Sequence, residues 1–284
     1  MANNLLNFKK EKDFLVCVDS DGCAIDSMDI KHINCFGPCM VDEWDLSKWQ
    51  DEILYRWNEV NLYTLTRGIN RFKGLITALK EVNEKYIRID ELDVLVNWVE
   101  MTNELSNDSL QREIDNNPNS NILRKALNWS NSVNKAITKL PEEKILPFKK
   151  VKEALKYAHL MADVAIVSSA NLNAVLDEWK RHELIEHTDI VLAQNSGTKA
   201  YCIQELLKKG YDPKKVVMCG DALGDLQAAE KNGVHFYPIL VRHEKESWEE
   251  FISTAFIKLV DGKYSTDYQV EKIKDFKDNL GGNK

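Results

Sequence analysis

No stretch of this 284-residue chain approaches the eighteen or more apolar residues that a membrane span requires. The opening residues, MANNLLNFKKEKD, hold no apolar segment of the signal-peptide kind, so the protein is expected to stay in the cytosol. A basic excess is also missing. Against 38 Lys and Arg stand 45 Asp and Glu, a formal charge of -7, and the pI is near 5.5. Nucleic acid is therefore excluded as a partner, because a phosphate-backbone footprint needs clustered, unneutralised cations. There is no internal repeat and no low-complexity tract, which leaves ordinary globular folding for one large or two modest domains. The six cysteines, Cys17, Cys23, Cys35, Cys39, Cys202 and Cys219, are not a disulfide framework in a long cytosolic chain. Cys17, Cys202 and Cys219 lie in apolar segments, where a thiol behaves as a small hydrophobe. His32, Cys35 and Cys39 form a local group, but their spacing matches no common zinc pattern closely.

What the chain does have is concentrated between Phe14 and Ser27, reading FLVCVDSDGCAIDS. A short apolar run ends in Asp19 and Asp21, one residue apart, followed by Gly22. Such a run suits a buried parallel strand presenting its carboxyl end, the edge where open α/β sheets gather their chemistry. Gly22 lets the backbone turn without a Cβ in the way. The pairing suggests a carboxylate nucleophile beside a carboxyl acid/base.

The second half alternates strands with helices. Asp163 to Val167 reads as a strand ending in Ser168 and Ser169, and Asn171 onward has helical spacing at Leu172, Val175, Leu176 and Trp179. Asp189 to Leu192 and Thr198 to Lys209 make a second unit. Lys215 to Cys219, then Gly220 and Asp221, then a helix from Leu223 to Lys231 closed by Asn232 and Gly233, make a third. A last strand is expected from Val234 to Leu240. This order predicts an α/β fold, a Rossmann-like parallel sheet flanked by helices, whose right-handed crossovers put all strand carboxyl ends on one edge.

Between Ser27 and Pro147 the pattern becomes helical: Trp44 to Tyr63, Phe72 to Val82, Ile89 to Met101 and Ile122 to Leu140 carry apolar residues three and four apart. The loop NNPNSN, Asn116 to Asn121, interrupts them. The expected division is a discontinuous core over 1–27 and 147–284 with an all-helical insert over 28–146. A helical extension from about residue 242 completes the core, with Trp248, Ile252, Ala255 and Leu259 on one face and a further helix from Tyr268 to Leu280.

Four separated pieces should arrive at one edge of the sheet: Asp19-Ser20-Asp21-Gly22, Ser168-Ser169, Lys199, and Gly220-Asp221 with Asp225. Each has an ordinary reading by itself. The first could be an Asx turn, Ser168 a cap hydroxyl, Lys199 a solvated charge, and the last two aspartates a favourable helix N-terminus. In this order and context, however, they resemble the four motifs of the haloacid dehalogenase superfamily. The resemblance covers roughly residues 12 to 27 and 160 to 240.

That resemblance implies an aspartyl-phosphate mechanism, with Asp19 as nucleophile and Asp21 as general acid/base. It implies Mg²⁺ held by Asp19, by Asp21 through its main chain and by Asp221, with Asp225 a direct or water-mediated ligand. Ser168, Ser169 and Lys199 would hold the phosphoryl oxygens. Dehalogenases of the superfamily lack the second aspartate, so Asp21 favours phosphoryl transfer. The insert resembles the helical cap of the β-phosphoglucomutase and phosphoglycolate phosphatase branch, which implies a small phosphorylated metabolite as substrate. Arg67 and Arg71, close together around Gly68, are candidate cap contacts for its remaining charge. His32 lies one position away from where mutases place a cap histidine. The expected activity is a Mg²⁺-dependent phosphatase. A sugar-phosphate mutase shares every core residue, and a retired binding protein on the same fold is the alternative of another class.

Overall fold

The computed structural model describes residues 5–281. Strand β1 (Phe14–Val18) runs into a tight loop and the two-residue β2 (Ile25–Asp26). Helices α1 (Met28–Lys31), α2 (Gly37–Glu43), α3 (Gln50–Leu62), α4 (Arg71–Lys85), α5 (Leu92–Met101), α6 (Asn107–Asn116) and α7 (Asn121–Ile137) follow. The chain returns through β3 (Leu146–Pro147), α8 (Val151–His159), β4 (Ala162–Val167), α9 (Leu172–Arg181), β5 (Ile190–Leu192) and α10 (Lys199–Leu207). It ends with β6 (Val216–Gly220), α11 (Leu223–Asn232), β7 (His235–Pro238), α12 (Glu244–Glu250), α13 (Phe256–Val260) and α14 (Thr266–Asn279). Two compact units result. One holds the described residues up to Ser27 together with those from Ile145 onward, and the other is Met28–Lys144. No helix among the described residues is long and apolar enough to cross a membrane.

The first unit is the expected parallel sheet, in the order β5-β4-β1-β6-β7. Its central strands are buried on both faces, which is why FLVCV, ADVAIV and VVMCG read as continuous apolar runs rather than alternating ones. Asp163 is the exception inside β4. Its Oδ2 accepts from the backbone N–H of Glu11 and Lys12 at 2.9 and 3.0 Å and from the Tyr211 hydroxyl, so a buried carboxylate ties the approach to β1 beneath the sheet. Local signals set the helix ends: the Asn171 side chain caps α9, Thr198 caps α10, and Gly233 at φ 65° closes α11. The last strand is shorter than expected, because only His235–Pro238 finds ladder partners on β6.

The Met28–Lys144 unit has its own core, centred on Trp57, Phe72, Trp98 and Trp129. Phe72 meets Trp98 edge-on at 5.0 Å between ring centres and Trp129 at 6.1 Å, while Trp57 meets Trp129 at 6.2 Å. Two boundaries differ from the periodicity, and one helix is absent from it. The single helix expected over Trp44 to Tyr63 is broken at Asp45, whose φ of 56° turns the chain so that Trp44 and Leu46 both point inward. α5 begins at Leu92 rather than Ile89, because Glu91 also takes a positive φ. The Glu91 Oε2 accepts from Ser120 Oγ and from the N–H of Asn121 and Ile122, closing the start of α7 with a carboxylate. α6, polar along most of its length, carries too little apolar spacing to be legible.

The expected face of the extension also shifts. A π-turn at Phe251–Ala255 adds a residue to the spiral, so Phe251 and Phe256 are buried in place of Ile252. All six cysteines are free thiols, and Cys17, Cys202 and Cys219 are buried as expected.

Replacing Trp129 with Ala removes the ring that touches Phe36, Trp57 and Phe72, and should cost about 3–5 kcal/mol by denaturant unfolding followed by circular dichroism. A loss below about 1 kcal/mol would show that this cluster does not hold the helical unit together.

Candidate active site

β1 and β6 are adjacent and parallel, with Val18 opposite Cys219, so the residues leaving their carboxyl ends emerge side by side. Asp19 extends the ladder by one step, its N–H donating to the Cys219 carbonyl at 3.0 Å. β6 ends on Gly220, and Asp221 follows it, buried. Asp225 sits in the first turn of α11. Its Oδ2 accepts from the Ala222 N–H at 3.1 Å, reaching back to the start of its own helix, and its Oδ1 accepts from Lys199 Nζ at 2.5 Å. Lys199, the first residue of α10, also stands 2.7 Å from Asp19 Oδ2. Carboxylate oxygens of Asp19, Asp221 and Asp225 lie within 4.8 Å of one another.

Gly220 makes this packing possible. A Cβ there would stand 2.3 Å from both Cβ and Cγ of Asp225, so the close passage of the strand end over that carboxylate requires glycine.

Burial and charge act against each other in the cluster. Burial pushes the Asp19 carboxyl up to about 7, even though the Lys199 ammonium pulls it down. Asp225 is raised for the same reason. Burial by itself would lower Lys199, yet the two carboxylates it touches outweigh that and hold its proton above the ordinary lysine range. A single ammonium against three carboxylates leaves negative charge that a hard divalent cation could offset, and an all-oxygen carboxylate donor set is the kind Mg²⁺ and Ca²⁺ take. The residues present therefore fit a metal of that class.

The loop after β1 is built around Gly22, at φ 80°, and Ser20. The Ser20 N–H donates to Asp19 Oδ1 at 2.8 Å, so both oxygens of Asp19 are held, one by Ser20 and one by Lys199. The Asp21 side chain does not join the three-carboxylate cluster. Its Oδ1 accepts from Ser27 Oγ at 2.5 Å. Ser27 escaped the sequence reading, because a lone hydroxyl six residues on has no motif spacing. Only the turn of the loop brings it back.

Ser168 leaves the end of β4 buried, its N–H donating to Leu192 O at 2.9 Å and its Oγ accepting from the Ala170 N–H at 3.1 Å. Ser169 beside it is exposed. The two arginines singled out as cap contacts, Arg67 and Arg71, are engaged within the helical unit. The buried Arg67 donates to Leu62 O at 2.9 Å. Arg71 donates to Ser130 Oγ at 3.0 Å and Asn134 Oδ1 at 2.8 Å and lies over the Phe36 ring. Burial lowers Arg71 to about 10. His32, Cys35 and Cys39 form no metal-holding group among the described residues: His32 Nδ1 accepts from the Trp57 indole at 3.2 Å, and Cys35 is packed in the helical core.

A family model described as haloacid dehalogenase-like hydrolase matches residues 69–239. The match takes in Ser168, Lys199, Asp221 and Asp225 and begins downstream of Asp19 and Asp21. No curated protein matches the sequence. Among solved structures, a haloacid dehalogenase-like family hydrolase from Streptococcus pneumoniae is 13% identical, with TM-score 0.47, over 78% of this chain and 82% of its own. A candidate β-phosphoglucomutase from Thermotoga maritima is 15% identical, with TM-score 0.47, over 79% and 84%. A candidate phosphoglycolate phosphatase from Lactobacillus delbrueckii subsp. bulgaricus is 14% identical, with TM-score 0.45, over 80% and 86%.

Two outcomes test the geometry. Gly220→Ala should drive Asp225 off Lys199 and cost about 1–3 kcal/mol in denaturant unfolding, and a neutral substitution would contradict the close approach. The raised Asp19 sets the sign of a pH effect. Between its ordinary value of 3.8 and about 7, the folded metal-free chain holds a proton that the unfolded chain has released. Asp19 thus contributes stability at low pH that is lost as pH rises through 7. Measured in chelator, the advantage of Asp19→Asn over the parent in melting temperature should grow as pH rises from about 4 to about 7 and level off above that. A difference that is independent of pH would refute the shift.

Proposed function

Since this chain belongs to the haloacid dehalogenase-like hydrolases, we propose that it is a Mg²⁺-dependent phosphatase that hydrolyses a small phosphorylated metabolite through an aspartyl-phosphate intermediate. The observation that carries this reading is the placement of Asp19: buried, held at both oxygens, and joined with Asp221 and Asp225 in a cluster suited to a hard cation, with a second carboxyl group, Asp21, one residue away. A dehalogenase would have no use for Asp21. A phosphatase needs it twice.

In the first step an Asp19 oxygen bonds to phosphorus while the bond to the substrate's alcohol oxygen breaks, and Asp21 gives that oxygen its proton. In the second, a water oxygen bonds to phosphorus, Asp21 takes the water's proton, and the bond to Asp19 breaks to return the carboxylate and release phosphate. The Ser27 hydroxyl aims Asp21 for both transfers. Lys199 fixes the Asp19 carboxylate before attack and stays charged throughout, so it offsets the negative charge gathering on the phosphoryl oxygens. Ser168, at the end of the neighbouring strand, is assigned to the phosphoryl group as a hydroxyl donor, with the exposed Ser169 beside it. Asp19, Asp221 and Asp225 would hold the metal, with the main chain of Asp21 completing the protein's share. Bound there, Mg²⁺ supplies positive charge that lets an anionic nucleophile approach an anionic phosphate.

The helical unit, inserted directly after the nucleophile loop, is assigned the part of a cap that selects the substrate, with Arg67 and Arg71 as its candidate anion contacts. Both guanidiniums already serve internal acceptors, so each would have to exchange or share those bonds to reach a ligand.

A panel of small phosphate monoesters assayed with Mg²⁺ should give steady release of inorganic phosphate. Asp19→Asn should bring turnover to background, and Asp21→Asn should slow it by about 10²- to 10⁴-fold. Full activity in Asp19→Asn would remove the mechanism. Little phosphate release together with a requirement for a bisphosphate activator would assign the same core to a sugar-phosphate mutase.

A further inference from the structure

The loop that carries Asp19 and Asp21 is held from behind by two indoles. Trp179, on α9, donates its Nε1–H to Ser20 Oγ at 2.9 Å, and Trp248, on α12, donates its Nε1–H to the Cys23 carbonyl at 3.0 Å. Both tryptophans are fully buried. They come from helices that follow different strands, and Trp248 lies beyond residue 239, where the family match ends.

Ser20 is the hub of the loop. Its N–H donates to Asp19 Oδ1 at 2.8 Å, and its carbonyl accepts from the N–H groups of Cys23, Ala24 and Ile25 at 3.4, 3.0 and 2.9 Å. The Trp179 bond therefore fixes the residue that orients Asp19 and around which the turn closes. Trp248 fixes the other side of the turn, where the Cys23 thiol also points at the Cys219 carbonyl at 3.5 Å. An indole nitrogen is a donor only, and in a dry interior it has no water to turn to. Any displacement of the loop would strand one or both donors, so the pair penalises every loop position but one.

We propose that Trp179 and Trp248 are positioning residues for the nucleophile loop, acting through Ser20 and Cys23. The proposal rests on the reading of Asp19 as nucleophile. It explains why a helix of the C-terminal extension is packed behind the active edge, and it makes that extension part of the catalytic apparatus of this chain.

The test uses the full chain, p-nitrophenyl phosphate as probe and saturating Mg²⁺. Ser20→Ala and Trp179→Phe should each lower kcat by about ten- to a hundredfold with KM changed less than about twofold, as expected when the reacting group is misplaced and the substrate contacts are kept. The double variant should be no slower than the slower single one, because both changes delete the same bond. At position 248 the acceptor is backbone, so the indole is replaced by benzothienylalanine, which keeps the shape and loses the N–H. The same substitution at 179 serves if Trp179→Phe fails to fold. A similar fall in kcat at 248 is expected. Parental kcat in these variants, additive losses at 20 and 179, or losses confined to KM would overturn the proposal. Asp19→Asn is run alongside. If it is inactive while the tryptophan variants keep parental kcat, positioning fails and the phosphatase reading stands. If it is active, that reading fails first.

Discussion

The arrangement of the catalytic unit turns on a conflict of charge: three carboxylates and one ammonium buried together where β1 and β6 end. Removing ions from water is costly, and their mutual attraction repays it only when the geometry is close and the count of charges balances. Here the geometry is close and the count does not balance. The chain thus spends stability at one point of its sheet, and the uninterrupted apolar strands on either side are what allow it to do so. A cluster of this kind is poised to take up positive charge, which a fully neutralised one would not be.

Several residues meet this demand by serving two purposes. Asp225 closes the first turn of its own helix with one oxygen and holds Lys199 with the other. Ser20 orders the loop through its backbone and receives Trp179 through its side chain. Gly220 contributes only its lack of a side chain, which lets the strand end pass over Asp225. This edge of the sheet therefore tolerates few substitutions, even at positions whose part is structural.

Much of the core was legible in the sequence, for physical reasons that can be named. Parallel strands buried on both faces show as plain apolar runs, and Asp19 and Asp221 follow two such runs while Lys199 and Asp225 lie in the first turns of helices that follow strands, so the sequence places all four at one edge. The helical insert was legible in kind but not in detail. Positive φ at Asp45 and Glu91 is invisible to periodicity, since neither residue type announces it. The π-turn at Phe251–Ala255 breaks the rule of three and four on which face assignment rests. The neighbours of the Asp19 loop were less legible: Ser27 reaches Asp21 only through the turn of the loop, while Trp179 and Trp248 reach it by single hydrogen bonds across the fold, and a tryptophan on an apolar face reads as packing alone. Arg67 and Arg71 stood out as charges, whereas in the structure their donors face acceptors of their own unit.

The strand order has a consequence in time. β1 lies at the centre of the sheet, between β4 and β6, yet it is made first. Its partners, paired at Leu15 with Asp163 and Val216, are synthesised about 150 and 200 residues later, a wait of roughly 10–40 s for the second at ordinary rates of about 5–20 residues per second. Through that interval FLVCV, the most apolar segment of the early chain, has no neighbour to pair with. The Met28–Lys144 unit, with its own tryptophan-rich core, can complete itself meanwhile. Asp19, the proposed nucleophile, is thus the first part of the edge to leave the ribosome and, because β1 must wait for both flanking strands, among the last to be set in place.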